Sequence, residues 1–223
     1  MRKLAKGEEP PELVANRAEW TARYIEADNP RPSVWRNDEL VQALKNETLR
    51  KCAYCEANMM DVSYAHVEHI LPKSVFPHLV VDWENLTIAC QTCNTEKGDY
   101  YDASVPLIHP YNENPLDHFE FWGPVIQEKN GNLRAERTID QIDLCRAPLV
   151  VSRAMKIDFV RRLIQRWIMA ESDGEKETAA KVVRRELRDD REFVETLRAY
   201  ARAKGFPVDQ NVVDDPSTGG GDP

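Results

Sequence analysis

Two identical cysteine knuckles, Cys52-x2-Cys55 and Cys90-x2-Cys93, constrain this chain more than any other feature of its 223 residues. In a reducing compartment such pairs are metal ligands more often than disulfides. The competing assignment is four small buried side chains, because a free cysteine packs like an apolar residue. Two equal spacings, each with a turn-compatible pair between the sulfurs, favour zinc. The segment between the knuckles is too short and too polar to bury much apolar surface by itself. Cross-linking its ends through four thiolates would supply the missing folding energy. A site with four cysteine ligands has no open position for water, so this Zn2+ is scaffold. The fifth cysteine, Cys145, stands apart.

At 42% hydrophobic the chain can bury one sizeable core or two small ones. No run approaches the roughly 18 apolar residues of a membrane span. The start, Met1-Arg2-Lys3-Leu4-Ala5, lacks the apolar stretch and cleavage site of a secretory signal. These features lead us to expect a cytoplasmic protein without a membrane partner.

Residues 11–27 place Leu13, Val14, Trp20, Tyr24 and Ile25 at near-helical spacing, and Asp38 opens a second helix with Leu40, Val41 and Leu44 inward. Pro30 and Pro32 separate the two. Residues 119–126 and 133–139 flank Asn130-Gly131, the strongest short hairpin signal, and so predict two strands. Pro148 suits the first turn of a long helix. Its apolar stripe is Leu149, Val150, Ala154, Ile157, Val160, Ile164, Trp167 and Ile168, with more helix to about residue 204. The tail from Pro207, rich in Gly and Asp, predicts disorder.

Between the knuckles lie Val67-Glu68-His69-Ile70-Leu71-Pro72-Lys73-Ser74 and Asp82-Trp83-Glu84-Asn85-Leu86, and the second knuckle continues as Asn94-Thr95-Glu96-Lys97-Gly98. An acidic residue before His, a later Asn-Leu and an Asn directly after the knuckle together resemble the HNH endonuclease family. The resemblance implies a ββα-metal fold over residues 52–99: a strand bearing Glu68 and His69, a loop with Asn85, a strand over 86–89 and a short helix after Cys93. The fold class is therefore α+β, a zinc-stabilised ββα-metal core embedded in a mainly helical protein with a β-hairpin. Neighbours on a strand point to opposite sides, so a local distortion near His69 is expected.

Phosphodiester hydrolysis needs an activated water, neutralisation of charge on the phosphate and help for the leaving oxygen. His69, with an ordinary pKa of about 6.5, can take the proton from water. Glu68 and Asn94 offer hard oxygen ligands that suit Mg2+ or Mn2+. By the resemblance, Asn85 positions the loop that keeps His69 oriented. The catalytic set is thus His69, Glu68, Asn85 and Asn94. His66 is a further candidate ligand or substrate contact, and Lys97 is either a phosphate contact or a solvated helix-end lysine. Tyr100, Tyr101 and Tyr111 could stack on bases or pack inward.

The flanks are similar to bacterial HNH proteins encoded with retrons or with Septu-type ATPases in anti-phage defence. The matching stretches include Met1-Arg2-Lys3-Leu4-Ala5-Lys6-Gly7, Cys52-Ala53-Tyr54-Cys55-Glu56, Pro77-His78-Leu79, His109-Pro110-Tyr111, Asn114-Pro115, His118-Phe119 and Leu144-Cys145-Arg146. They cover most of residues 1–170. His109 departs from the subgroup's expected acidic residue. The implied partners are a nucleic acid substrate, DNA before RNA, and an ATPase.

The net charge of −8 is unfavourable for a polyanion ligand, but it is unevenly spread. Residues 146–204 hold 15 Lys+Arg against 10 Asp+Glu, and the remainder 15 against 28. The basic supply is Arg153, Lys156, Arg161, Arg162, Arg166, Arg184, Arg185 and Arg188, read either as a phosphate-binding face or as a solvated face paired with acids. The expected organisation is an N-terminal helical segment (1–51), the nuclease core (52–104), a loop and β-hairpin (105–145), a basic helical region (146–206) and the tail (207–223). Two other classes fit the composition: a non-catalytic zinc-ribbon module that binds nucleic acid, and a toxin or immunity-type module that binds protein.

Overall fold

A computed structural model describes residues 1–59 and 65–208. Helix α1 (Pro11–Glu26) starts on a proline, and α2 (Asp38–Glu47) is capped by Asn37, whose Oδ1 accepts from Leu40 N at 3.1 Å. Their inner faces bury Leu13, Tyr24, Leu40 and Leu44 against the zinc-ligand segment.

That segment is built on one antiparallel pair, β1 (Ala65–His69) and β2 (Leu86–Cys90), in register from Ala65↔Cys90 to His69↔Leu86. All five β2 residues are buried. The pairing is regular through His69, and Ile70 N extends it to Asn85 O at 2.9 Å. The strand is not distorted, and Glu68 and His69 each find a buried partner, Lys97 and the Val80 carbonyl. Helix α3 (Gln91–Lys97) begins two residues before Cys93, because Cys90 itself caps it, its sulfur accepting from Cys93 N.

The hairpin differs from the sequence expectation. Its strands are β3 (Phe119–Trp122) and β4 (Val125–Glu128), and it turns at Gly123-Pro124, where Gly123 has φ 59°. A positive φ is open to glycine without steric cost. Residues 133–139 are not a strand; they lie in α4 (Leu133–Ile142). Asn130-Gly131 serves instead as the bend before that helix, and Asn132 caps it by accepting from Arg134 N and Ala135 N, each at 3.1 Å. The local turn signal lost to periodicity: Ala135, Thr138 and Ile142 fall on one helical face and are fully buried.

The C-terminal part comprises α5 (Ala147–Ile168), α6 (Asp173–Glu186) and α7 (Val194–Ala203). A Ser172–Glu175 capping box starts α6. Val160, Ile164, Val183, Leu187, Leu197, Ala201 and Phe206 form a second apolar cluster. The expected stripe on α5 holds at Leu149, Val160 and Ile164, whereas Ala154 and Ile168 are exposed. Arg153 is buried where the basic face was expected to include it: its Nη1 donates to Leu144 O at 2.7 Å and Pro124 O at 3.3 Å. It ties the hairpin turn to α5 and cannot meet phosphate. The other arginines mostly sit beside acids, Arg161 and Arg162 with Asp158, Arg184 with Glu177.

Among the described residues no helix is long and apolar enough to cross a membrane. The tail expected to be disordered lies outside the described residues from position 209 onward, while Val208 still packs on the second cluster.

Because Asn132 ends the bend and caps α4, Asn132→Ala should lower unfolding free energy by about 1 kcal/mol. A urea titration measures this. A change near zero would show that the cap contributes nothing and that burial of α4 alone sets the helix start.

Candidate active site and metal centre

The four knuckle sulfurs lie within 4.8 Å of one another, all on buried residues, and Cys55 Sγ is 4.0 Å from Cys90 Sγ. Tetrahedral zinc with Zn–S bonds of about 2.3 Å requires sulfur separations of nearly this size. The chain converges here because Ala53 N bonds Ile88 O at 3.0 Å, which seats the first knuckle on β2, while β2 runs directly into the second. The donor set and its spacing fit zinc. Arg146, the residue before α5, places Nη2 3.4 Å from Cys93 Sγ and 3.8 Å from Cys90 Sγ. Zinc with four thiolates carries a net charge of −2, so this guanidinium offsets charge that burial would otherwise penalise.

On the other side of α3, a cleft of about 80 Å3 is lined by Glu68, His69, Lys73, Asn94, Gly98 and Asp99, among others. Glu68 and His69 are 5% and 4% exposed. Gly98 closes α3 at φ 51°, a backbone geometry that favours glycine, and so opens the cleft edge beside Asn94.

His69 Nε2 lies 2.8 Å from Val80 O. A carbonyl only accepts, so Nε2 carries the proton and Nδ1 keeps its lone pair. Burial pushes the His69 pKa down to about 3, assisted by the Lys73 and Lys97 charges and opposed by the Val80 carbonyl. The imidazole is thus neutral throughout the physiological range, not half-titrated as an exposed histidine would be. The Trp35 ring stands edge-on to it at 4.9 Å, and Lys73 Nζ sits 5.1 Å from the Trp35 ring centre.

Asn85 is buried at the end of a short 3-10 turn just before β2. Its Oδ1 accepts from Leu71 N at 2.7 Å, and its Nδ2 donates to Leu71 O at 3.0 Å and Leu79 O at 3.2 Å. It thereby pins both ends of the β1–β2 loop, including the residue next to Val80.

Lys97 is neither solvated nor free for phosphate. It is 2% exposed, with Nζ 2.7 Å from Glu68 Oε1 and 2.8 Å from His69 O. Burial raises the Glu68 pKa, and Lys97 opposes that rise. Trp35, Lys73 and Arg146 were not candidates on sequence grounds. Each lies outside the motif or looks like any surface cation, and only contact reveals its place.

Several other candidates resolve plainly. His66 does not line this cleft. Tyr111 is buried, its hydroxyl bonding Glu47 Oε2 at 3.0 Å and Thr87 Oγ1 at 2.9 Å, so it cannot stack on a base. Tyr100 donates to Val105 O at 2.9 Å, and Tyr101 remains exposed. Cys145 bonds the backbone of Ile126 and takes no part in the sulfur cluster.

Residues 52–100 match the HNH endonuclease family, and this segment is an HNH domain. The chain is also similar to two proteins named Septu protein PtuB. One, from Bacillus thuringiensis, is 31% identical over 168 residues, which are 73% of this chain and 63% of that protein. The other, from Bacillus mycoides (strain KBAB4), is 28% identical over 151 residues, 54% of this chain and 51% of that protein. The chain thus spans less than two thirds of the length of these relatives.

Arg146→Ala should speed zinc release to a chromogenic chelator severalfold and expose the thiolates to alkylation, with Arg146→Lys intermediate. Metal-release time courses and mass-spectrometric counting of alkylated cysteines check it. A release rate equal to the parent's would remove Arg146 from the metal site.

Proposed function

We propose that the chain is a metal-dependent HNH endonuclease that hydrolyses phosphodiester bonds, with DNA as substrate, and that it acts in anti-phage defence. One observation carries the reading: Glu68, His69 and Asn94 line the same small cleft, with His69 held in the tautomer that leaves Nδ1 free. In this reading His69 Nδ1 takes the proton of the attacking water. Its low intrinsic basicity rises when an anionic phosphate enters the cleft, because a nearby negative charge favours the imidazolium. Asn85 is a positioning residue that holds the loop bearing the Val80 carbonyl. Lys73 adds a cationic group at the cleft.

Glu68 and Asn94 fit a hard divalent ion, for which one or two protein oxygens plus substrate phosphate suffice. Lys97 lies 2.7 Å from Glu68 Oε1, so a bound ion would share this carboxylate with the ammonium group. A bound Mg2+ or Mn2+ would neutralise charge on the phosphate and stabilise the leaving oxygen.

The same ion pair favours a second reading, a non-catalytic zinc-ribbon module, since Lys97 already offsets the charge of the buried carboxylate without a metal. Similarity to the Septu proteins supports a defence role with an ATPase partner, and α5 offers Val151, Met155 and Phe159, spaced four apart and exposed, for docking. The acidic remainder gives little long-range attraction to a polyanion, so a partner that grips the substrate would raise the encounter rate.

Purified protein given Mg2+ or Mn2+ should cleave labelled nucleic acid, and His69→Ala should abolish this with zinc content at the parent's; removing a buried ring bonded to Val80 O should lower the melting temperature by a few degrees, so retained zinc is the folding control. Cleavage by His69→Ala at the parental rate would defeat the mechanism; metal-dependent cleavage by neither protein, alone or co-purified with the neighbouring gene product, would favour the non-catalytic module.

A further inference from the structure

A second cleft, of about 390 Å3, opens beside the catalytic one and is larger than the phosphate-binding reading needs. The two are lined by alternating neighbours along the same stretches of chain. Ile70 and Leu71 line the larger cleft, while His69 and Pro72 on either side of them line the smaller; Tyr100, Tyr101 and Asp102 continue directly from Gly98 and Asp99. Lys97 lines the larger cleft and reaches Glu68 with its ammonium group. A group in this cleft therefore lies one side chain from the carboxylate assigned to the reaction.

The chemistry of the cleft selects against phosphate. The Arg134 guanidinium is committed to Glu113 through two bonds of 2.8 Å and to Pro106 O and Leu107 O, so it has no charge to spare. Asp102 adds a carboxylate, fixed by Ser104 N at 2.8 Å and Val105 N at 3.3 Å. The lining is otherwise apolar and aromatic, with Tyr101 44% exposed and held upright by Phe76, whose ring centre is 4.7 Å away at 84°. The polar edge is mixed. His109 Nδ1 accepts from Tyr111 N and Asn112 N, each at 3.2 Å, so its proton is on Nε2 and that atom is a donor. Asn112 supplies both an amide donor and a carbonyl acceptor, and Asp102 an acceptor.

A neutral planar ring with donors and acceptors on its edge satisfies this combination; a phosphate does not. We propose that this cleft is a nucleobase subsite, in which a base next to the scissile phosphate stacks on Tyr101 and presents its edge to His109, Asn112 and Asp102. A base in a duplex is stacked and paired and cannot enter, so the substrate is unpaired at the cut, either as a single strand or as an extruded nucleotide. The proposal rests on the nuclease reading for the position of the phosphate. It adds what that reading lacks, a substrate class and the residues that select it.

The test is binding of a labelled single-stranded oligonucleotide and of its duplex to full-length protein carrying His69→Ala, without added divalent ion, read by fluorescence anisotropy. Tyr101→Ala should weaken single-strand binding about tenfold, Tyr101→Trp should preserve it, and duplex affinity should change less than twofold. Tyr101 is exposed, so zinc content and melting temperature should stay at the parent's. A photoreactive 5-iododeoxyuridine in the strand should cross-link to Tyr101. Unchanged single-strand affinity in Tyr101→Ala, equal loss for duplex, or cross-links only outside the cleft would overturn the subsite. If Tyr101-dependent binding persists although the parent cleaves nothing, the subsite stands and the nuclease reading fails; if the parent cleaves but Tyr101→Ala binds unpaired strands as the parent does, the reverse holds.

Discussion

The meeting of four buried sulfurs is the constraint on which the rest of this fold depends. Two short strands and a two-turn helix cannot exclude enough water to fold independently, and here the sulfur cluster clamps the first knuckle to the point where β2 becomes α3. With that junction fixed, the face of α3 turned toward β1 is fixed too, and it carries Asn94 to the cleft and Lys97 to Glu68. Arg146 then links the same cluster to the start of α5, so the C-terminal helices are anchored at the metal site.

The cleft beside α3 and its support divide the polar contacts between them. Burying a carboxylate, an imidazole and an ammonium together is costly unless each finds partners. Lys97 answers both the Glu68 carboxylate and the His69 carbonyl, Val80 answers the imidazole, and Asn85 answers the loop that carries Val80. The network therefore gives each of the two buried side chains its own partner while the strand pairing stays regular. It also makes the cleft narrow. A narrow, partly cationic slot beside a wider aromatic one is a shape suited to a phosphate with its base splayed to the side.

Charge is distributed unevenly along the chain. The acidic excess lies outside residues 146–204, and the arginines of α5 and α6 are largely engaged with acids on their own helices, pairs worth little individually.

The sequence by itself determined the metal knuckles, the ββα order and the grouping of Glu68, His69 and Asn94, because ligand spacing and residue chemistry are local properties that survive without coordinates. It also placed α1, α2 and the proline start of α5 correctly, where periodicity and capping agree. Tertiary structure alone decided the rest. The hairpin moved to Gly123-Pro124 because the 3.6-residue periodicity of α4 outweighed an Asn-Gly turn. Lys97 and Arg153 went inside because a long cation buries when carboxylate or carbonyl oxygens await its tip, and those oxygens come from residues 29 and 9 positions away in the chain. Trp35 reached His69, and the base-sized cleft formed between the 70–71 and 100–112 segments, for the same reason: contacts between distant stretches depend on how the faces of α3, α4 and β1 meet, which no local pattern encodes.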